Sequence, residues 1–378
     1  MATKILVCVL VAAAMTVPPS QACTGFGLSG TDVALMAVNY DWDVPGGRLI
    51  INPRAVEKTA LVGPDQTPAA WISKFGSITF NQYGREFPIG GINQVGLAMQ
   101  VLWLDETQYP KTSQGPNLSA LQWVQYSLDN LVTAQEVAES AGQFTISSAA
   151  RLHFLACDRS RSCAVIEFID GKPNIRAGRE LPLPVLANST YADSIDALNE
   201  TLGYGGEVVK KAKTDTDSLN RFVTAAHERN ALTFRNVDDA VDGAFAVLAK
   251  VAPENLNQWR VVYDLRMPGL HFITKGNAER RSLDIKDVDF HCLEAGVSAL
   301  DLEADASGDI AGMFTAYTQE QNSALVRTSI GRTEFLSEMD DDQIDRLGSY
   351  PSSLVCTSKP RRPNPRGPAD GPPTIAVE

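Results

Sequence analysis

Two runs, Leu152–Cys157 (LHFLAC) and Cys163–Ile169 (CAVIEFI), are almost unbroken in apolar residues. A strand with one wet face alternates apolar with polar, so strands that do not alternate must be covered on both faces. The chain therefore has to fold in layers, with these strands inside. Between them lies the short polar stretch Asp158-Arg159-Ser160-Arg161-Ser162, read as a tight turn, and Cys157 and Cys163 are the natural disulfide pair across it.

The rest of the pattern supports a layered α+β chain. Further strands are expected at Val33–Asp41 and Arg48–Arg54, joined by a Pro45-Gly46-Gly47 turn, and at Ser77–Gln82 and Gly96–Leu104. Ser119–Leu131 carries Leu121, Val124, Leu128 and Leu131 at helical spacing, and Thr133-Ala-Gln-Glu136 reads as a capping box opening a helix to about Ala141. Asp217 caps a helix through His227, and Asn236 opens another with the stripe Val237, Val241, Phe245, Leu248 and Val251. Trp259–Leu265 and Leu270–Thr274 form a hairpin around Met267-Pro-Gly269. Strands and helices thus come in blocks rather than in regular alternation. Two stacked antiparallel sheets with helices on their outer faces satisfy that order.

A formal charge of −12 argues against nucleic acid and anionic membrane as partners, while 44% hydrophobic and 21% charged residues describe an ordinary globular protein. The four histidines (His153, His227, His271, His291) show no metal-ligand spacing.

The chemistry gathers at Ser20-Gln21-Ala22-Cys23-Thr24-Gly25. Lys4 precedes an apolar run, Ile5 to Met15, too short to span a bilayer; Pro18 and Pro19 break it, and small residues sit at Ser20 and Ala22. Residues 1–22 read as a signal peptide, with cleavage before Cys23 and export to the periplasm or beyond. Cys23 would then own a free α-amine, which titrates near pH ~8 and is partly neutral at pH 7. One residue would supply nucleophile and base together. A lipoprotein, with Cys23 diacylated, is the competing reading, but Ser20 stands where a lipobox expects leucine. Five cysteines would remain after cleavage: Cys23, the Cys157–Cys163 pair, and Cys292 with Cys356, left to pair over a long loop. The catalytic domain is expected over residues 23–356, and the proline-rich stretch 357–378 as a disordered tail.

Several separated motifs resemble the choloylglycine hydrolase family, the amidases that include bile salt hydrolases and penicillin V acylases. They are Cys23-Thr-Gly, Asn39-Tyr-Asp41, Gly90-Gly-Ile-Asn93-Gln-Val-Gly-Leu97, Leu186-Ala-Asn188-Ser and Leu219-Asn-Arg221-Phe, spread between Cys23 and about Cys292. The resemblance implies an αββα sandwich of the N-terminal-nucleophile type, no metal or organic cofactor, and hydrolysis of a linear amide; relatives commonly form homo-oligomers. It implies Cys23 as nucleophile, Asp41 holding its amine, Asn188 in the oxyanion hole, Arg221 as the active-site cation, and Trp42 and Trp103 facing the acyl group. Asn93 reads instead as a loop-shaping residue. One position departs from the family: Val38 stands where an arginine usually precedes the asparagine, so either Arg221 suffices, or another cation such as Arg48 reaches in, or activity is reduced. Conjugated bile acids, penicillin V and N-acyl homoserine lactones are all compatible substrates. The alternatives are a cysteine hydrolase pairing Cys23 with a histidine, and a non-catalytic lipid-anchored protein on a degenerate amidase fold.

Overall fold

A computed structural model describes residues 22–111, 115–209, 217–292 and 296–357. The expected signal peptide up to Gln21 and the proline-rich tail beyond Thr357 lie outside the described residues.

Two sheets stack face to face. The seven-stranded sheet runs Val185–Leu186, Thr24–Ser29, Ala34–Asp41, Asn257–Asp264, Gly269–Thr274, Arg281–Asp284 and Gly308–Asp309. The nine-stranded sheet runs Lys172–Ala177, Cys163–Ile169, Leu152–Asp158, Leu97–Trp103, Pro88–Asn93, Ser77–Asn81, Arg48–Asn52, Val297–Asp301 and Thr315–Tyr317. All neighbours pair antiparallel except Arg281–Asp284 with Gly308–Asp309. LHFLAC is wholly buried and CAVIEFI buried at all but its end residues, as their composition requires.

Helices α1 (Ala120–Asn130) and α2 (Ala134–Ser140) cover the outer face of the nine-stranded sheet. Helix α3 (Tyr191–Asn199) packs on α4 (Ser218–Ala231), and α4 with α5 (Val237–Val251) covers the seven-stranded sheet. The fold is the expected αββα sandwich. Thr133, Asp217 and Asn236 cap their helices as expected, each accepting a first-turn backbone N–H, and Ser119, expected inside the first helix, is its cap instead. Helix α4 continues one turn past His227, to Ala231.

Aromatic rings fill the space between the sheets. Phe80 stacks on Trp259 with centroids 5.9 Å apart and meets Phe272 edge-on at 5.5 Å. Gly25 lies where the sheets approach closely, since a Cβ there would stand 3.2 Å from Leu155 Cδ2. Gly96 answers a different need: φ is +88° and a Cβ would fall 2.1 Å from the Leu265 carbonyl oxygen. Beside it, Asn93 Oδ1 accepts from Val95 and Leu97 N–H, while Nδ2 donates to the Leu128 and Leu131 carbonyls closing α1. Asn93 is a loop-shaping residue.

Three features differ from the sequence reading. The strands on either side of Pro45-Gly46-Gly47 do not pair; Ala34–Asp41 belongs to the seven-stranded sheet and Arg48–Asn52 to the other, so the turn is a crossover. Helix α3 falls where the sequence analysis places no helix. So do two late helices, α6 (Gln319–Gly331) and α7 (Asp341–Ser349), although each opens on a capping box, Thr318 with Gln321 and Asp340 with Gln343. Cys157 and Cys163 stand opposite one another and are bonded, and a second disulfide joins Cys292 to Cys356. Among the described residues, no helix is long and apolar enough to cross a membrane.

Candidate active site

Cys23 enters the strand Thr24–Ser29, and that strand's register governs what surrounds it. Thr24 pairs with Asn39, which brings residue 22 opposite Asp41. Accordingly the Ala22 N–H points at the Asp41 carbonyl oxygen at 3.5 Å, and the Cys23 thiol reaches the same oxygen at 3.8 Å.

Asp41 is fully buried. Its Oδ1 accepts from Asn257 Nδ2 at 2.7 Å, and Arg260 Nε in turn donates to Asn257 Oδ1 at 3.0 Å. Its Oδ2 has no hydrogen-bond partner among the described residues. Burial pushes the carboxyl up to about 7, against the pull of Arg221, Asn257 and Arg260. Burial and the Asp41 charge push the Cys23 thiol up to about 12. Both shifts belong to a chain in which Ala22 still acylates the Cys23 nitrogen.

Arg221, in the first turn of α4, is also fully buried. One terminal nitrogen donates to the carbonyls of Ala22 and Cys23 and to Thr24 Oγ1, the last at 2.8 Å; the other donates to Asn188 Oδ1 at 2.9 Å. Asn188 follows the strand Val185–Leu186, which pairs with Thr24–Ser29. Its Nδ2 donates to the Trp103 carbonyl at 2.7 Å, leaving a second amide hydrogen on that nitrogen. The segment is held from behind: His153 Nε2 donates to the Ala187 carbonyl at 2.8 Å, and Glu167 Oε1 accepts from Tyr191 N–H at 2.7 Å.

All four expected chemical residues therefore converge on one point, and Trp42 and Trp103 line a cavity of about 280 Å³ that opens on Cys23. Its walls are almost wholly apolar, among them Tyr40, Phe87, Leu121, Leu152 and Phe335. No histidine bonds Cys23; His153 serves Ala187, His227 meets Thr201, and His291 meets Asp289 and Arg54. Among the described residues there is no group of metal-ligating side chains.

Val38 is fully buried against Gly25. Arg48 does not reach in; it pairs with Asp301 at 2.9 Å on the surface. The second cation near Asp41 is Arg260, from the neighbouring strand. Sequence reasoning missed both Asn257 and Arg260, whose roles follow only from the pairing of Asn257 with Asp41 across the sheet.

No family model matches the chain. A penicillin V acylase from Pectobacterium atrosepticum is 33% identical over 246 residues, which is 59% of this chain and 64% of that acylase's own length. Among solved structures, the penicillin V acylase of Agrobacterium tumefaciens superposes with a TM-score of 0.69 at 29% identity, over 78% of this chain and 98% of its own. A conjugated bile acid hydrolase from Clostridium perfringens shares the fold, with a TM-score of 0.61 at 17% identity over 76% of this chain and 98% of its own. The motifs converge on Cys23 inside an αββα sandwich that the chain shares with these proteins, and its sequence is similar to that of penicillin V acylases.

Proposed function

We propose that the mature chain is an N-terminal-nucleophile amidase that hydrolyses a linear amide of the penicillin V type, carrying a compact apolar acyl group. The observation that carries this reading is Asp41 Oδ2, a buried carboxylate oxygen without a partner among the described residues, on the residue whose backbone carbonyl the Cys23 thiol reaches. Buried acceptors are rarely left empty. An α-ammonium on Cys23 is the donor that would satisfy it.

Cleavage of the Ala22–Cys23 bond converts an amide nitrogen into that amine. Ala22 is itself fully buried, so cleavage by an external peptidase has to precede closure of the fold. The amine takes the thiol proton, Asp41 holds the resulting ammonium, and the positive charge lowers the thiol's pKa. The thiolate attacks the substrate carbonyl, and the remaining Asn188 amide hydrogen, with Arg221 fixing that side chain, stabilises the oxyanion. The ammonium passes its proton to the leaving nitrogen as the C–N bond breaks, releasing the amine and leaving a thioester on Cys23. Water then attacks the thioester, giving its proton to the amine; the carboxylic acid leaves and the thiol is restored.

The cavity bears on the substrate. At about 280 Å³ it lies just below the ~300–1,000 Å³ usual for small-molecule sites. Its apolar walls suit a phenoxyacetyl group or an acyl chain of modest length better than a fused-ring steroid. The test is hydrolysis of penicillin V, glycine- and taurine-conjugated bile acids and N-acyl homoserine lactones by exported protein whose intact mass begins at Cys23. Penicillin V turnover that vanishes in Cys23→Ser is expected. Preference for the lactones would reassign the substrate, and full activity with Ala22 still attached would overturn the mechanism.

A further inference from the structure

The cavity is completed by a part of the chain outside every motif discussed above. Ile330, Phe335, Leu336, Met339 and Leu347 come from α6, α7 and the link between them, and together they form one wall. The segment is firmly seated. Asn322 of α6 accepts from the Arg85 N–H at 2.7 Å and donates to the Gly348 carbonyl at the end of α7, also at 2.7 Å. Gly84, at φ +99°, lets α6 lie close, because a Cβ there would fall 2.6 Å from Val326.

A directed chain of hydrogen bonds ties this wall to the reaction centre. Thr333 Oγ1 donates to the Ser329 carbonyl at 2.8 Å, so its contact with Tyr83 Oη at 2.9 Å must have the phenol as donor. The same phenol oxygen accepts from Trp42 Nε1 at 3.1 Å. Each hydroxyl proton is used once, and the sequence of donors, Trp42 to Tyr83 to Thr333 to Ser329, fixes the indole next to Asp41 relative to the late helices. Two residues beyond Thr333, the Phe335 ring stands 6.3 Å from Trp42, edge-on, and 5.4 Å from Trp103. Trp42 and Trp103 are themselves 6.0 Å apart. Phe335 remains 37% exposed, so this three-ring cluster sits where the cavity meets solvent.

We propose that residues 319–349 form a cap over the acyl cavity and that Phe335 is its specificity-determining residue, closing the mouth against Trp42 and Trp103 and limiting the length of acyl group admitted. This rests on reading the cavity as the acyl site. An aromatic acyl ring would complete the cluster by offset or edge-to-face contact, whereas a long flexible chain would have to pass the Phe335 ring.

The test uses acyl anilides with a common leaving group, from butanoyl to dodecanoyl together with phenoxyacetyl, on mature wild type, Phe335→Ala and Phe335→Trp. Phe335→Ala should raise the ratio of kcat/KM for dodecanoyl over phenoxyacetyl by about tenfold or more, chiefly through KM, and Phe335→Trp should lower it. A ratio unchanged in both variants overturns the proposal. Ligand binding separates this from the proposed function. In Cys23→Ala, tryptophan fluorescence titrated with phenoxyacetate and with dodecanoate should show the same reversal of preference when Phe335 is truncated. If wild type cleaves no anilide but the titrations reverse, the amidase reading fails and the cap stands. If turnover is normal and neither the ratio nor the titrations change, the cap alone fails.

Discussion

The Cys23 thiol gives the sharpest contrast between two covalent states of one residue. While Ala22 is attached, burial and the Asp41 charge hold the thiol near 12, and almost no thiolate exists at neutral pH. In the cleaved form proposed above, the neighbouring ammonium would favour the thiolate, and the cavity would give reagents a route to it. Alkylation of Cys23 by iodoacetamide at pH 7.5, followed by mass spectrometry, should therefore be at least ~100-fold faster in cleaved protein than in a form retaining Ala22. Equal rates would mean that the amine does not activate the thiol. Asp41 makes the complementary statement about stability. Its carboxyl rises from an ordinary 3.8 to about 7 in the folded, uncleaved chain, so the fold favours the protonated form. That stabilisation is present below about pH 4 and lost as pH rises through 7. In the uncleaved chain, Asp41→Asn keeps a neutral acceptor for Asn257 and should be more stable than wild type at pH 8, by at most about 4 kcal/mol, with the difference closing by pH 4. Urea melts at the two pH values measure this, and equal midpoints at pH 8 would contradict it.

At the scale of elements, the segment 186–191 shows how a sheet can place a side chain it does not contain. Asn188 lies just past a two-residue strand, too short to fix it alone. Positioning comes from His153 on Leu152–Asp158 and Glu167 on Cys163–Ile169, gripping Ala187 and Tyr191 on either side of it. His153→Phe leaves the Ala187 carbonyl unpaired in a buried site and should cost about 1–3 kcal/mol of stability. It should also lower kcat by about tenfold or more with KM little changed, because in the proposed mechanism the Asn188 contact is made in the transition state. A rise in KM at unchanged kcat would show that His153 shapes the cavity instead.

For the whole molecule, the second disulfide matters more than the first. Cys157–Cys163 clips a turn whose strands already pair, whereas Cys292–Cys356 closes a separation of 64 residues that contains α6 and α7. Cys356 lies on a short strand pairing with Val56–Thr59, so the bond returns the end of that segment to the body of the fold. The chain-closure account assigns a loop of that size about 4 kcal/mol. Cys292→Ser with Cys356→Ser should lose roughly that stability in urea and raise KM for the acyl substrate as the cavity wall loosens. Thermal and kinetic measurements on the double variant that match wild type would count against this coupling.

What the sequence determined is the set of parts. Unbroken apolar strands demanded two covered sheets, apolar spacing after Ser119 and the caps at Thr133, Asp217 and Asn236 located four helices, and Cys23, Asp41, Asn188 and Arg221 stood out by motif. These are local signals: periodicity, cap chemistry and residue type need only a few neighbours. Register and layering were left to the tertiary structure. Only strand pairing brings Asn257 and Arg260 to Asp41, which lies more than two hundred positions earlier in the chain. Only the crossover at Pro45-Gly46-Gly47 separates two strands that read as neighbours. The cavity wall depended on it most. Helices α6 and α7 bury few apolar side chains of their own, and long-range hydrogen bonds to Tyr83 and Arg85 tie this segment to the rest of the fold, contacts that the sequence of the segment does not reveal.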